Sequence, residues 1–165
     1  PLLEHVLDNC GCPSGKASTY VVLGAHHKAI QSSTNLGDCC ILYNADWRTG
    51  IASSIRHAVN SLKNKYDAIL FIAGDQPLVN RDNIKAILDQ HQSHPDMIIA
   101  AVYANKPGIP ALFPRKYYSA LCELKGDTGA KKLLVENGKN IVKLPMPTAE
   151  LDIDTPEDLT AFIAR

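Results

Sequence analysis

Asp75 leaves an apolar run at residues 68–73 directly into the turn Gly74-Asp75-Gln76-Pro77. A carboxylate so placed is carried on stiff backbone at the C-terminal end of a strand, where open α/β sheets collect their ligands. The plainer alternative is that it only caps the turn. Asp152 and Asp154 flank Ile153 ahead of Thr155-Pro156, and alternate residues of an extended segment project to one side, so the two carboxylates face together. With Asp75 they form a candidate magnesium site, since Mg²⁺ asks for one or two carboxylates and takes water and substrate phosphates for the rest. A carboxylate near a helix start can instead favour the helix dipole, a role that suits Asp158 better than Asp154.

The other candidate positions are small residues in loops. Asn44-Ala45-Asp46-Trp47-Arg48-Thr49-Gly50-Ile51-Ala52-Ser53-Ser54 joins an apolar run to a helix-period segment. Its backbone donors could read a base edge or receive an anion at the helix start, or the segment could be a simple connection. Gly108-Ile109-Pro110 and Gly126-Asp127-Thr128-Gly129-Ala130 are two further glycine loops, either of which could be a plain turn. No serine-histidine or cysteine-histidine pair stands out.

These groups need a scaffold, and the chain supplies an α/β pattern: short β-branched runs alternate with helix-period segments, which predicts helices layered on a mainly parallel sheet. Leu2, Leu3, Val6, Leu7 and Cys10 share a helical face before the break at Gly11, Pro13, Ser14 and Gly15. Strands are expected at residues 19–23, 39–43, 68–73, 97–103 and 141–144, with a short extended piece at 110–113. The 68–73 run, apolar throughout, should be covered on both faces. Helices are expected from Ile51 to Leu62, from the cap Asn80 to about His91, and at 117–124 and 129–137. Asn105, Lys106, Pro107 and Gly108 read as a turn. Thr155, Pro156 and Asp158 mark the start of a last helix with Leu159, Phe162 and Ile163 on its apolar face.

At 165 residues, 45% apolar, the chain suits one domain with a full core. Seventeen basic residues balance seventeen acidic ones, so no net field favours nucleic acid or an anionic membrane. Without a spanning run or a signal-peptide start, the sequence reads as cytoplasmic. The five cysteines, Cys10, Cys12, Cys39, Cys40 and Cys122, are expected to be reduced and partly buried. Cys10 and Cys12 are too closely spaced for the usual zinc pair, and the histidines are dispersed.

In order, Asn44, Trp47, Gly50 and Ser53-Ser54, then Gly74-Asp75-Gln76-Pro77, Gly108-Ile109-Pro110, Gly126-Asp127 with Gly129-Ala130, and Asp152-Ile153-Asp154-Thr155-Pro156, resemble the molybdenum-cofactor cytidylyltransferase family and its close relatives. The resemblance runs over nearly the whole chain, and several motifs in order are far more specific than one. It implies a three-layer, Rossmann-like fold of the nucleotide-diphospho-sugar-transferase type. The implied reaction is magnesium-dependent transfer of CMP from CTP to the terminal phosphate of a molybdopterin-type cofactor, which a molybdoenzyme could then receive. By resemblance, Asp75 and Asp154 are catalytic and hold magnesium with Asp152, while Asn44, Gly50, Ser53, Ser54 and Gly74 bind the nucleotide. Gly108, Pro110, Gly126, Asp127, Gly129 and Lys131 would line the acceptor side. CTP is expected because guanylyl relatives carry a glycine-proline version of the Gly50 loop.

Two departures qualify this expectation. The family opens with a strand and a phosphate loop of the form L-A-A-G-x-S-x-R-M-G-x-x-K, which would lie N-terminal to Pro1. Lys131 stands where many relatives have arginine, keeping the charge without the planar fork. A different reading is a noncatalytic, cofactor-holding domain of the same fold, and another is transfer to a different acceptor. If the resemblance is right, strands 19–23 and 68–73 should not pair directly, because the family's first strand would lie between them.

Overall fold

The computed structural model describes residues 1–11 and 19–164. In chain order the elements are α1 (Leu2–Cys10), β1 (Tyr20–Leu23), α2 (His27–Ser33), β2 (Cys40–Tyr43), α3 (Ile51–Leu62), β3 (Ala68–Phe71), α4 (Arg81–Ser93), β4 (Ile98–Tyr103), β5 (Lys106–Pro114), α5 (Tyr118–Cys122), α6 (Lys131–Glu136), β6 (Ile141–Pro145) and α7 (Pro156–Ile163). Cys12 and the expected break through Pro13, Ser14 and Gly15 lie outside the described residues.

The strands form a parallel pair, β1-β2, and a four-stranded sheet in the order β3-β5-β4-β6. β4 shows why this is a three-layer fold. Ile98 and Ala100 enter one core with Ile55 and Val59 of α3, Leu121 of α5 and Leu134 of α6. Ile99 and Ala101 enter the other with Val6 of α1 and Ile84 and Ile87 of α4. All four β4 residues are fully buried, as period-two side chains must be when helices cover both faces.

β5 corrects the expectation of a glycine loop at Gly108-Ile109-Pro110. Ala104 and Asn105, both at positive φ (47° and 60°), make a tight hairpin turn of the kind that suits the strand twist, and Tyr103 pairs with Lys106. The extended piece expected at 110–113 therefore grows into a nine-residue strand, antiparallel to both β3 and β4. β6 runs parallel to β4, so β5 is the one reversed strand of this sheet.

The strand expected at 68–73 stops at Phe71, where the ladder with β5 ends at Ala111. The next partner would be Pro110, which has no N–H to donate. Nor is the strand covered throughout: only Ile69 is buried, and Ile72 beyond it is 37% exposed. β2 likewise leaves Cys40 and Tyr43 exposed, against the expectation of a partly buried thiol at Cys40. The helices expected at 117–124 and 129–137 are shorter than their periodicity, α5 and α6 being flanked by single 3-10 turns at Arg115–Tyr117 and Gly138–Asn140. Thr155 caps α7 reciprocally with Asp158, yet its expected apolar face meets no core and Ile163 is 75% exposed. A cap is local and needs no core behind it.

Among the described residues, β1 pairs only with β2 and β3 only with β5. The two halves share one core, to which Tyr20 and Leu42 contribute from the smaller sheet. The hydroxyls of Tyr20, at the start of β1, and Tyr66, just before β3, meet at 3.1 Å, a side-chain bridge between two strands that do not pair with each other among the described residues.

Asn80 closes the start of α4 with a full capping box, accepting from the N–H groups of Asp82 and Asn83. Asn80→Ala is expected to cost about 1 kcal/mol, a fall of roughly 2–4 °C in Tm for a domain of this size, read by thermal unfolding.

Candidate active site

The carboxylate cluster begins with a buried side-chain amide. Gln76, 2% exposed, donates through Nε2 to the Ile109 carbonyl at 3.2 Å and the Ala149 carbonyl at 2.7 Å. It thereby ties the turn after β3 to β5 and to the segment after β6. Asn9 of α1 adds a bond to the Pro77 carbonyl at 2.7 Å. The backbone of Ile153 donates to the carbonyl of Asp75 at 2.9 Å, which brings the 152–154 segment alongside. Ile153 is buried while Asp152 and Asp154 are exposed, the alternation expected of an extended piece.

The result is one patch of negative charge. Burial pushes the Asp75 carboxyl above the usual carboxylate range; a backbone N–H of its own residue opposes this, and the charges of Asp152 and then Asp154 add to it. Asp75 Oδ1 is buried without a hydrogen-bond partner. An orphaned carboxylate oxygen is costly unless something positive meets it, so the residues fit a divalent cation. They do not form a complete cage, because no three histidine, cysteine or acidic side chains among the described residues converge to hold a metal. Cys10 is no candidate ligand: burial pushes its thiol up to about 11, and the protonated thiol is a poor ligand.

A second cluster forms where β2 runs into α3. Asn44, 2% exposed, donates to Ser53 Oγ at 2.8 Å and Ser54 Oγ at 3.0 Å and accepts from the Asp46 N–H at 3.0 Å. Both its N–H donors are used. Ser53, itself buried, donates to the Gly50 carbonyl at 2.8 Å. These two side chains hold the loop's shape, whereas half-buried Ser54 accepts from Asn44 and makes no donated bond among the described residues. Trp47 packs on Gly24, where a Cβ would lie 2.5 Å from the tryptophan Cβ, and Arg48 stacks on its ring at 4.4 Å.

Gly50 sits at φ 95°, and a Cβ there would lie 2.3 Å from the Gly126 carbonyl and 2.6 Å from Asp127 Oδ1. The N–H of Ala52 donates to the Gly126 carbonyl at 3.1 Å. Gly126 and Asp127, expected on the acceptor side, thus lie against the Gly50 loop. Gly129 neighbours Ile51, and Lys131 opens α6, exposed. Gly108 and Pro110 belong to β5, and Gly74 adjoins Asp75 with Leu3 of α1 beside it.

Sequence reasoning passed over Gln76 as a structural tie, Asn9, and Tyr103. A Cβ at Gly108 would lie 2.3 Å from Tyr103 Oη, so Gly108 is bare because the tyrosine lies across it. Burial, together with the field of Asp152, keeps that hydroxyl protonated. Only the pair Asp75 and Gln76 gave a signal, as polar residues following an apolar run. A concavity of about 800 Å³ bounded by Thr49, Arg56, Cys122 and Lys125 includes none of the three aspartates, so the chemistry, not the size of the hollow, marks the site.

The chain is similar to several known proteins. The bifunctional protein GlmU of Bartonella quintana is 26% identical over 145 residues, 86% of this chain and 27% of the relative. The chain spans about a quarter of that protein's length. Crystal structures of Rv0371c from Mycobacterium tuberculosis superpose with a TM-score of 0.81 at 26% identity, covering 99% of this chain and 84% of that one. A second structure of that protein is a manganese complex, with a TM-score of 0.78 at 23% identity, covering 99% and 87%. A CMP:2-keto-3-deoxy-manno-octonic acid synthetase solved with CTP shares the fold at a TM-score of 0.71 and 14% identity, covering 99% and 86%. No described helix is long and apolar enough to cross a membrane. The MobA-like NTP transferase domain matches residues 1–141; with its nucleotide-diphospho-sugar-transferase type of α/β fold, the chain belongs to that family.

Proposed function

We propose that this domain moves CMP from CTP to the terminal phosphate of a phosphorylated pterin of the molybdopterin type, releasing pyrophosphate. The observation that carries the reading is the orphaned, buried oxygen of Asp75 at the end of β3, with Asp152 and Asp154 beside it. An acceptor phosphate has a second pKa of about 6 and is largely dianionic near neutral pH. No strong general base is needed. A phosphate oxygen bonds to the α-phosphorus of CTP, the bond from that phosphorus to the oxygen leading to the β-phosphate breaks, and the electron pair departs with pyrophosphate.

Repulsion between anions and loss of alignment are the obstacles. A divalent cation at Asp75, Asp152 and Asp154 would supply charge neutralisation at the α-phosphoryl oxygens. The manganese complex of Rv0371c supports a cation here, and the CTP complex of the same-fold synthetase supports a cytidine nucleotide. In this reading the Gly50 loop and Ser54 receive the base, held in shape by Asn44 and Ser53, and Gly74 lets backbone approach the phosphates. Gly129 and Lys131 face the acceptor, whereas Gly108 and Pro110, expected on that side, are buried in β5 and do not reach it directly. A strand and a glycine-rich loop N-terminal to Pro1 would pair along the edges of β1 and β3 that have no partner among the described residues. A cytoplasmic setting and hand-over to a molybdoenzyme belong to the same proposal.

The direct test offers the full-length protein each of the four ribonucleoside triphosphates with Mg²⁺ and a phosphorylated pterin, and measures pyrophosphate release. CTP should be used fastest; faster turnover of GTP sinks the nucleotide assignment, and release with none of them sinks the transferase reading.

Asp75→Asn tests the cation site twice. The raised carboxyl means that the Asp75 contribution to stability is complete below the ordinary value of about 3.9 and is lost as pH rises through its higher folded value. At neutral pH the metal-free variant should therefore melt no lower than wild type. It should lose the rise in Tm that Mn²⁺ gives the wild type, and transfer should fall on the order of 10³-fold, about 4 kcal/mol. Near-normal turnover by the folded variant removes Asp75 from the cation site.

Gly50→Ala must move the Gly126 backbone and adopt positive φ. A cost above about 1 kcal/mol in urea unfolding is expected, with weaker nucleotide binding in calorimetry. An unchanged midpoint and affinity would show that the two loops are not in contact.

A further inference from the structure

The contact between Gly50 and the Gly126-Asp127 turn suggests how one base is chosen over another. Asp127 is exposed, and no hydrogen bond or ion pair among the described residues engages its carboxylate, although Oδ1 lies against Gly50 at the start of α3. Next to it Ile51 presents a large apolar side chain, 52% exposed, and a Cβ placed on Gly129 would lie 3.9 Å from Ile51 Cγ2, its one such neighbour among the described residues. A bare apolar surface beside an unengaged carboxylate suits a flat heterocycle that brings its own N–H donor. The backbone cannot do this reading alone, because the Ala52 and Ser53 N–H groups are already given to Gly126 and Gly50.

Resting on the proposal that the Gly50 loop receives the base, we propose that Asp127 is the specificity-determining residue for the nucleotide. Its carboxylate accepts a hydrogen bond from the 4-amino group of cytosine while the ring lies on Ile51. An ionised carboxylate is acceptor only. Cytosine N4 is a donor and pairs with it, whereas uracil presents a 4-oxo acceptor at the same place, leaving two acceptors opposed with neither satisfied. Sites that read a donor in this way discriminate much more strongly than apolar pockets do. The reading moves Asp127 from the acceptor to the base, and it makes Gly50 the bare position that lets the carboxylate reach.

Trp47, the single tryptophan of the chain, lies in the same loop and reports binding without any acceptor. Full-length wild type, Asp127→Asn and Asp127→Ala are titrated with CTP and with UTP in Mg²⁺, following Trp47 fluorescence. Since Asp127 is exposed and makes no bond, both variants should melt as wild type does. Wild type should bind CTP at least about tenfold more tightly than UTP. That ratio should fall to about one in Asp127→Ala, and in Asp127→Asn, whose amide can donate to the 4-oxo group, it should fall to one or below. Binding of both nucleotides with the same ratio in all three proteins overturns the role of Asp127 and leaves the nucleotide site standing. Equal weakening of both nucleotides does the same. Binding of neither nucleotide to wild type overturns the nucleotide site and, with it, this assignment.

Discussion

Asp75 can only be a site residue because Gln76 beside it is locked. The Gln76 amide reaches two carbonyls, those of Ile109 and Ala149, on segments that are otherwise joined only through the sheet. For an amide as buried as that of Gln76, each such bond matters more for what its loss would leave unpaired than for its own strength, since a buried polar group left unpaired costs about 1–3 kcal/mol. With that amide in place, the turn after β3, the reversed strand β5 and the segment leading to Asp152 share one geometry. The bond from Ile153 to the Asp75 carbonyl then brings the 152–154 segment near enough for Asp152 and Asp154 to act on the Asp75 charge.

Bringing three negative charges together works against folding. Burial already disfavours the ionised Asp75, and Asp152 and Asp154 make it worse. Such an arrangement persists only if the surrounding structure over-determines it, and here α1, β5 and the 149–153 segment all bond to the turn. The repulsion between like charges favours a cation there, because a positive ion would relieve it. The Asn44 loop follows a different rule. The Asn44 and Ser53 side chains bond within the loop, so its surface is preformed.

These two clusters divide the labour by residue type. Carboxylates manage charge at the end of β3, and small residues manage shape at the start of α3. Both sit just after a strand, in agreement with the general placement of ligands in open α/β sheets. The family relationship explains why the order of motifs along the chain was informative, while packing against the Gly126 backbone explains why Gly50 carries no side chain, and the positive φ of 60° explains Gly126.

Local signals in the chain were enough to read much of this. The helices at Ile51, Asn80 and Pro156 were legible from caps and apolar spacing, and β4 from its unbroken apolar run, because these depend on near neighbours in sequence. Asp75 was recognisable at a strand end, and Asp152 and Asp154 as alternate residues of an extended segment. What the chain did not show was every feature set by distant partners. β5 looked like a glycine loop because its pairing depends on β3 and β4, and its turn rests on Ala104 and Asn105 at positive φ, the first of them a residue that seldom signals it. The face of α7 looked buried because periodicity reports which residues could pack, not how much packs on them: Phe162 meets His5 of α1 edge-on, while Ile163 stays exposed. The place of Asp127 against Gly50, more than seventy residues away, and the tie made by Gln76 were decided only by tertiary structure, since hydrogen bonds and steric exclusion between distant segments leave no periodic trace in the sequence.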